Sequence, residues 1–134
     1  MLLVKVTIGP SAVHGIGCFA AENIKYRRPI WKFVPRFDVE LDIEAVDALP
    51  HVVKERFLNY AYKSKATGTY ILCSDDARFF NHSTDPNVVN VLCYGEQEGI
   101  DIAARDIEEG EELLYDYRVF DEPHPHNETK ELIG

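Results

Sequence analysis

Three stretches of this chain carry side chains suited to chemistry. His14-Gly15-Ile16-Gly17 sets two glycines around one apolar residue. RFFNHSTDPN, from Arg78 to Asn87, runs two phenylalanines straight into an amide and an imidazole. Gly110-Glu111-Glu112-Leu113-Leu114-Tyr115-Asp116-Tyr117 ends on two phenols flanking a carboxylate. Taken singly, each has an ordinary reading. Gly-x-Gly serves tight turns with positive φ, and here it lacks the third glycine and following helix of a dinucleotide loop. Asn-His-Ser before Asp-Pro-Asn suits a capped turn whose side chains satisfy backbone groups. Tyr-Asp-Tyr at a strand end suits an edge-strand aromatic pair. Yet Phe79 and Phe80 directly beside Asn81 and His82 imply polar side chains held against a core, where a polar group without a partner is costly.

Other chemistries find less support. The five histidines, His14, His51, His82, His124 and His126, form neither H-x-x-x-H nor H-E-x-x-H, so no metal site is expected; His124-Pro125-His126 suits a solvated tail better than a chelate. No serine sits in a G-x-S-x-G elbow and no P-loop occurs. Cys18, Cys73 and Cys93 are an odd, widely spaced set, which fits reduced, small buried side chains better than disulfides or zinc.

The elements that must position these groups are short. Leu2, Val4, Val6 and Ile8 alternate as a half-buried strand stopped by Gly9-Pro10-Ser11, and Cys18 to Ala20 and Pro29 to Val34 are further strands. Asp42 caps a short helix to Leu49, and Pro50 opens another in which Val53, Phe57, Tyr60 and Ala61 share one face. Thr69 to Cys73, Val88 to Tyr94, Gly99 to Ala104 and Glu112 to Tyr117 read as strands, with turns at Gly95 to Glu98 and Asp106 to Gly110. Strands dominate, with one or two helices in the middle, so the fold class is mainly β, α+β.

A length of 134 residues suits one domain with its own core. The N-terminal stretch is apolar, but it alternates and lacks a basic region, so it reads as a strand and not as a signal peptide. No apolar run reaches the roughly 20 residues of a membrane span, and an intracellular chain is expected. A net charge of −9 disfavours direct nucleic-acid binding, which needs a basic face. It suits a basic partner, though acidic surfaces also serve solubility alone.

In this order the three stretches resemble the SET-domain family of protein lysine methyltransferases. HGIG is similar to the family's Gly-x-Gly element. RFFNHSTDPN is close to its Arg-Phe-x-Asn-His-Ser-x-x-Pro-Asn signature, and IAARDIEEGEELLYDY matches the run into its Glu-Glu-Leu-x-Tyr/Phe-Asp-Tyr terminus. The resemblance runs from Thr7 to Tyr117 and is weakest between Phe37 and Ala66. It implies a single SET domain over residues 1–134, with several small sheets around a C-terminal pseudoknot and one or two helices in the middle insert. The tail, 118–134, is expected to close the site and then be mobile.

The resemblance further implies S-adenosyl-L-methionine as cofactor and methyl transfer to a lysine of a histone or other basic protein. It places Tyr117 as the catalytic tyrosine and Tyr115 in the substrate channel, with Tyr70, Tyr60 or Tyr62 either a further channel wall or an ordinary core aromatic. It places His14, Ile16, Gly17, Arg78, Asn81, His82 and Phe120 around the cofactor, with Asn81 facing its methionine end and Gly17 small to admit it; Arg78 is either cofactor-proximal or structural. Tyr115, where the family has Phe or Tyr, favours mono- or dimethylation. A lysine in an aromatic channel beside a sulfonium has its pKa pushed down, so no strong general base is demanded. Two departures stand out. Thr84 replaces the signature's usual cysteine, and no cysteine follows Cys93, so the family's zinc segment is absent and no zinc is expected. Small stand-alone viral and bacterial members manage without zinc, some as homodimers. Cytoplasm is the expected location, with the nucleus open for a viral, eukaryotic or secreted-effector protein. A non-catalytic SET-like module binding a peptide or the cofactor, and a methyltransferase of a non-histone substrate, are the competing readings.

Overall fold

The computed structural model describes residues 1–119, so Phe120 and the rest of the tail lie outside the described residues. Four small sheets carry the fold. β1 (Val6–Pro10) pairs antiparallel with β2 (Ile16–Ala20), Val6 opposite Ala20 and Pro10 opposite Ile16. The strand anticipated from Leu2 is thus displaced. Leu2 only bridges Trp31, and β1 continues through Gly9 and Pro10, because a proline is accepted at the end of an edge strand where its missing N–H is not needed. β3 (Pro29–Lys32) is shorter than its alternating run.

β4 (Val39–Leu41) leads into α1 (Ile43–Asp47), where Asp42 accepts from the Ala45 N–H at 2.7 Å as the capping pattern predicts. α2 (His51–Tyr60) follows Pro50. Its expected apolar face is only partly used: Phe57 is buried, but Val53 and Tyr60 are exposed, and Ala61 is buried just after the helix has ended. α2 packs its C-terminal half alone, in a satellite cluster of Val46, Phe57 and Ala61 with Leu41, Leu58, Tyr70 and Leu72 around it. β5 (Tyr62–Lys63) and β6 (Tyr70–Leu72) complete a sheet of order β4-β6-β5.

Asp75 caps a 3-10 helix (Asp76–Phe79) that sets Phe80 into the main core and delivers the chain to β7 (Asn81–His82). β8 (Val88–Cys93) and β9 (Glu96–Ala103) form a hairpin that joins β3 in the order β3-β9-β8. Residues 96–98, anticipated as a turn, belong to β9. The irregularity falls instead near Gly99, at φ +66°, where a Cβ would lie 2.5 Å from the Val91 carbonyl oxygen; the β8–β9 register shifts between Val91 and Cys93. β10 (Leu114–Tyr115) runs parallel to β7, Leu114 opposite Asn81 and Tyr115 opposite His82. The strand expected over Glu112 to Tyr117 is cut to these two residues, and Tyr117–Val119 turn as a 3-10 helix.

The C-terminal segment reaches β7 by crossing the interior. Leu113, fully buried, donates its N–H to the Cys18 carbonyl at 2.8 Å. On the other side Asn87, also buried, donates from Nδ2 to the Glu112 carbonyl and accepts the Leu114 N–H on Oδ1, both at 2.8 Å. One amide thereby serves the peptide groups on both sides of Leu113. Asn87→Ala leaves both without a partner in a buried setting, so a loss of about 2–4 kcal/mol is expected, read as a lower urea midpoint with unchanged slope; an unaltered midpoint contradicts the clamp.

Asp101, buried in β9, has its carboxyl raised by burial to about 7 from 3.8. The stability this group allows is complete below its ordinary pKa and is lost as pH rises to about 7, because the unfolded chain ionises there first. Asp101→Asn escapes the loss. The stability difference between variant and wild type should grow in the variant's favour from about pH 4 to pH 7, by up to roughly 4 kcal/mol, and then level off. Parallel pH curves for the two proteins would refute it.

Candidate active site

The crossing segment brings all three chemical stretches together around one carboxylate. Both oxygens of Glu112 lie 2.8 Å from Ser11 Oγ, which donates its single proton to them while accepting the N–H groups of Val13 at 2.9 Å and His14 at 3.2 Å. Asn81 Nδ2 donates to Glu112 Oε2 at 2.9 Å and to the carbonyls of His14 at 3.0 Å and Ile16 at 3.2 Å. Asn81 is thus a strut between β7, the glycine turn and the crossing. A Cβ on Gly17 would lie 2.8 Å from Glu112 Cδ. Position 17 thus has no room for a side chain beside this half-buried carboxylate, a reason for glycine additional to the cofactor approach that the resemblance implies.

His82 Nδ1 accepts the Tyr117 N–H at 3.1 Å, which needs its lone pair and places the ring proton on Nε2. Asp116 lies 3.7 Å from the same nitrogen, too far to hydrogen-bond it. Asp116 is instead gripped by Arg118, Nε to Oδ1 at 2.9 Å and Nη2 to Oδ2 at 2.6 Å, and that guanidinium holds its carboxyl below the usual range. The Tyr117 hydroxyl, buried, donates to the Phe80 carbonyl at 2.9 Å. Its ring lies 5.0 Å from that of Tyr115, which in turn lies 5.5 Å from Phe80.

These rings border a cavity of about 180 Å³. His14, Ile16 and Asn81 line it from the glycine turn and β7, Tyr115 and Tyr117 from the crossing, and Tyr60, Tyr62, Arg78, Phe79 and Phe80 from the segments between. Arg78 has structural contacts and also lines the cavity. Its Nε donates to the Cys73 carbonyl at 3.1 Å, and its guanidinium stands 5.5 Å over the Tyr60 ring while lining the cavity. His82 takes its place beside Tyr117, with the rings 5.1 Å apart.

Tyr70 is not brought to this group among the described residues: it packs edge-on to Phe57 in the satellite cluster. Gly17 sits behind Ile16 against Glu112, and Phe120 is outside the described residues. Sequence reasoning missed Asn59, a lining residue, and the two supports Glu112 and Asn87. The faces of the tyrosines and phenylalanines suit a cation, and Arg78 suits a carboxylate. Among the described residues no group of metal-ligating side chains gathers, and no helix is long and apolar enough to cross a membrane.

A SET domain model matches residues 15–118. The Dictyostelium discoideum histone-lysine N-methyltransferase set1 is 31% identical over 127 residues, covering 85% of this chain and 8% of the relative. The H3 lysine-4 specific histone-lysine N-methyltransferase of Schizosaccharomyces pombe is 28% identical over 127 residues, covering 85% of this chain and 13% of its own. This chain therefore spans only a small part of the curated relatives it matches. Among solved structures, ctPRC2 of Chaetomium thermophilum, in an autoinhibited conformation bound to S-adenosylmethionine, superposes with a TM-score of 0.66 at 23% identity over 96% of this chain and 17% of that chain. That likeness shows the shared fold. With the family model spanning the glycine turn, the Asn-His strand and the crossing, the chain belongs to the SET-domain family.

Proposed function

We propose that this chain is an S-adenosyl-L-methionine-dependent protein-lysine N-methyltransferase. One observation carries the reading: Tyr117, Tyr115, Asn81 and the glycine turn, remote in sequence, border one aromatic cavity of about 180 Å³. The residues present fit the cofactor. Arg78 can pair with its carboxylate, the rings of Tyr60, Tyr115 and Tyr117 suit a sulfonium, and His14, Ile16, Asn81 and His82 hold the strand and turn that frame it. When bound, S-adenosylmethionine supplies an electrophilic methyl group.

The chain's own work is alignment and exclusion of water. Donation to the Phe80 carbonyl fixes the direction of the Tyr117 O–H, so its oxygen accepts from one side and can orient the reacting groups. Burial beside a positive sulfonium disfavours a second cation and favours the neutral amine that must attack. Tyr115 adds a hydroxyl where a phenylalanine would leave room, which supports mono- or dimethylation. The net charge of −9 suits a lysine-rich substrate, and histones are its first candidates, given the names of the relatives. Action in the nucleus follows from that substrate, and a homodimer is one arrangement in which a second copy completes the lysine channel.

Two measurements test this. S-adenosylhomocysteine should raise the melting temperature, by the equivalent of about 2.7 kcal/mol at a hundredfold excess over Kd; no shift at millimolar ligand would defeat the cofactor assignment. Tyr117→Phe should lower methyl transfer to histone peptides by about 100-fold or more while costing only about 1 kcal/mol of stability through the Phe80 bond. Undiminished transfer would remove Tyr117 from its role, and ligand binding without any turnover would favour the non-catalytic module.

A further inference from the structure

Tyr62, Phe80 and Tyr115 wall two cavities at once. The smaller has room of about 20 Å³, enough for one water. Its other walls include Trp31, Asn90, Glu98 and Asp101. The two acids are both buried and differently engaged. Glu98 accepts the Tyr62 hydroxyl at 2.8 Å and Ser64 Oγ at 2.9 Å, whereas Asp101 accepts Asn90 Nδ2 on Oδ1 at 2.9 Å. Trp31 is only 4% exposed, yet its indole N–H has no acceptor among the described residues. A buried indole N–H normally finds a partner. A cavity of water size, lined by Trp31 with its orphaned donor and by two acids, meets the requirements of a bound water.

We propose that this cavity holds one ordered water between the Trp31 indole and Asp101, and that Asp101, through this water, takes up the proton the substrate ammonium must lose before methyl transfer. The relay rests on the methyltransferase reading; the water site does not. In the step an N–H bond of the lysine ammonium breaks, its proton passes to the water, and the water gives a proton to the Asp101 carboxylate. The nitrogen lone pair is left to attack the methyl group, so that R–NH3⁺ and carboxylate become R–NH2 and carboxylic acid. Asp101 and Asn90 also line a wider cavity of about 260 Å³ beside Asp116, through which the proton leaves for the next turnover. Asp101 touches neither substrate nor cofactor: it is a positioning residue acting through the water.

The titratable groups around Asp101 are Glu98 on its own strand, Tyr62 from β5, Cys73 just after β6, Tyr115 from β10, Asp116 on the wider cavity, and the amino group of Met1. Burial pushes the Tyr62 phenol and the Cys73 thiol up, away from neutrality, but brings the Asp101 carboxyl to about 7, where it can both accept and release a proton.

Trp31 is the chain's only tryptophan, so its ¹⁵N-labelled indole resonance reports on the site without cofactor or substrate. It should titrate with a midpoint near 7 in the wild type and not in Asp101→Asn. Absence of the wild-type titration, or its persistence in the variant, overturns the water site. In single-turnover transfer to a lysine peptide, Asp101→Asn should slow the reaction about 100-fold at pH 7 and abolish the inflection near 7 in the pH profile. Asp101→Glu should restore part of the rate, and Trp31→Phe should shift the inflection. A titrating indole with an unchanged Asp101→Asn rate and profile overturns the relay alone. A titrating indole in a wild type that transfers no methyl overturns the methyltransferase reading and the relay with it, and leaves the water site supported.

Discussion

The fold depends on passing a polar main chain through its own interior. Backbone N–H and C=O groups buried without partners are prohibitively costly, so the segment from Glu112 to Tyr115 can cross only where each group is met. Cys18 meets Leu113, Asn87 meets the peptide groups to either side, and Ser83 donates its N–H to the Tyr115 carbonyl at 3.0 Å. The Glu112 side chain is the one charge taken inside with the segment. It persists there because Ser11 and Asn81 surround it with donors. Once that carboxylate is seated, position 17 has no room for a side chain, and Asn81 is committed to the glycine turn. Three features that look like separate motifs are thus consequences of one half-buried acid.

The same crossing explains why the side chains around the cavity sit where they do. Parallel pairing of β7 and β10 sets Tyr115 against His82, and the next residues turn so that the Tyr117 N–H meets the His82 ring and its hydroxyl meets Phe80. Tyr117 is therefore tethered at one end to β7 and at the other to the residue just before it. A tyrosine held in this way loses little entropy on aligning a substrate, which is how a protein supplies orientation in advance.

How much of this was legible in the residues follows from the range of the interactions. Asp42 capping α1 and the strand-like runs of β8 and the second half of β9 are encoded within a few residues and were readable as such, whereas β1 came out displaced and residues 96–98 had read as a turn. The ordered trio of motifs pointed to the family and to the cavity carrying Tyr117, Tyr115, Asn81, Arg78, His14 and Ile16. The contacts that hold the site are not local. Glu112 meets Asn81 across 31 positions and Ser11 across 101. No periodicity marks an acid in Glu-Glu-Leu-Leu as inward-facing, and Asp-Pro-Asn looks like a turn whether or not Asn87 clamps a buried strand. Tyr70 and the face of α2 failed for the complementary reason. The helix covers its neighbours with one end, so apolar spacing along its whole length overstates what it buries.

Asp101 raises the sharper question of why a carboxyl is buried in Ile100-Asp101-Ile102 at all. An apolar residue would remove its desolvation cost and leave Asn90 bonded to the Glu98 carbonyl at 2.8 Å. A group that lowers stability at neutral pH persists where its charge state is used, since perturbed carboxyls gather at working sites. Here the neighbours agree with such use. Asn90 steadies one oxygen, Trp31, whose indole N–H has no acceptor among the described residues, lines the same cavity, and Tyr115 lines both that cavity and the one carrying Tyr117. The acid at Glu112 holds the fold closed around the site, and burial leaves the acid at Asp101 able to exchange its proton at neutral pH. The two carboxyls differ in function because one is surrounded by donors and the other by a space that a single water can fill.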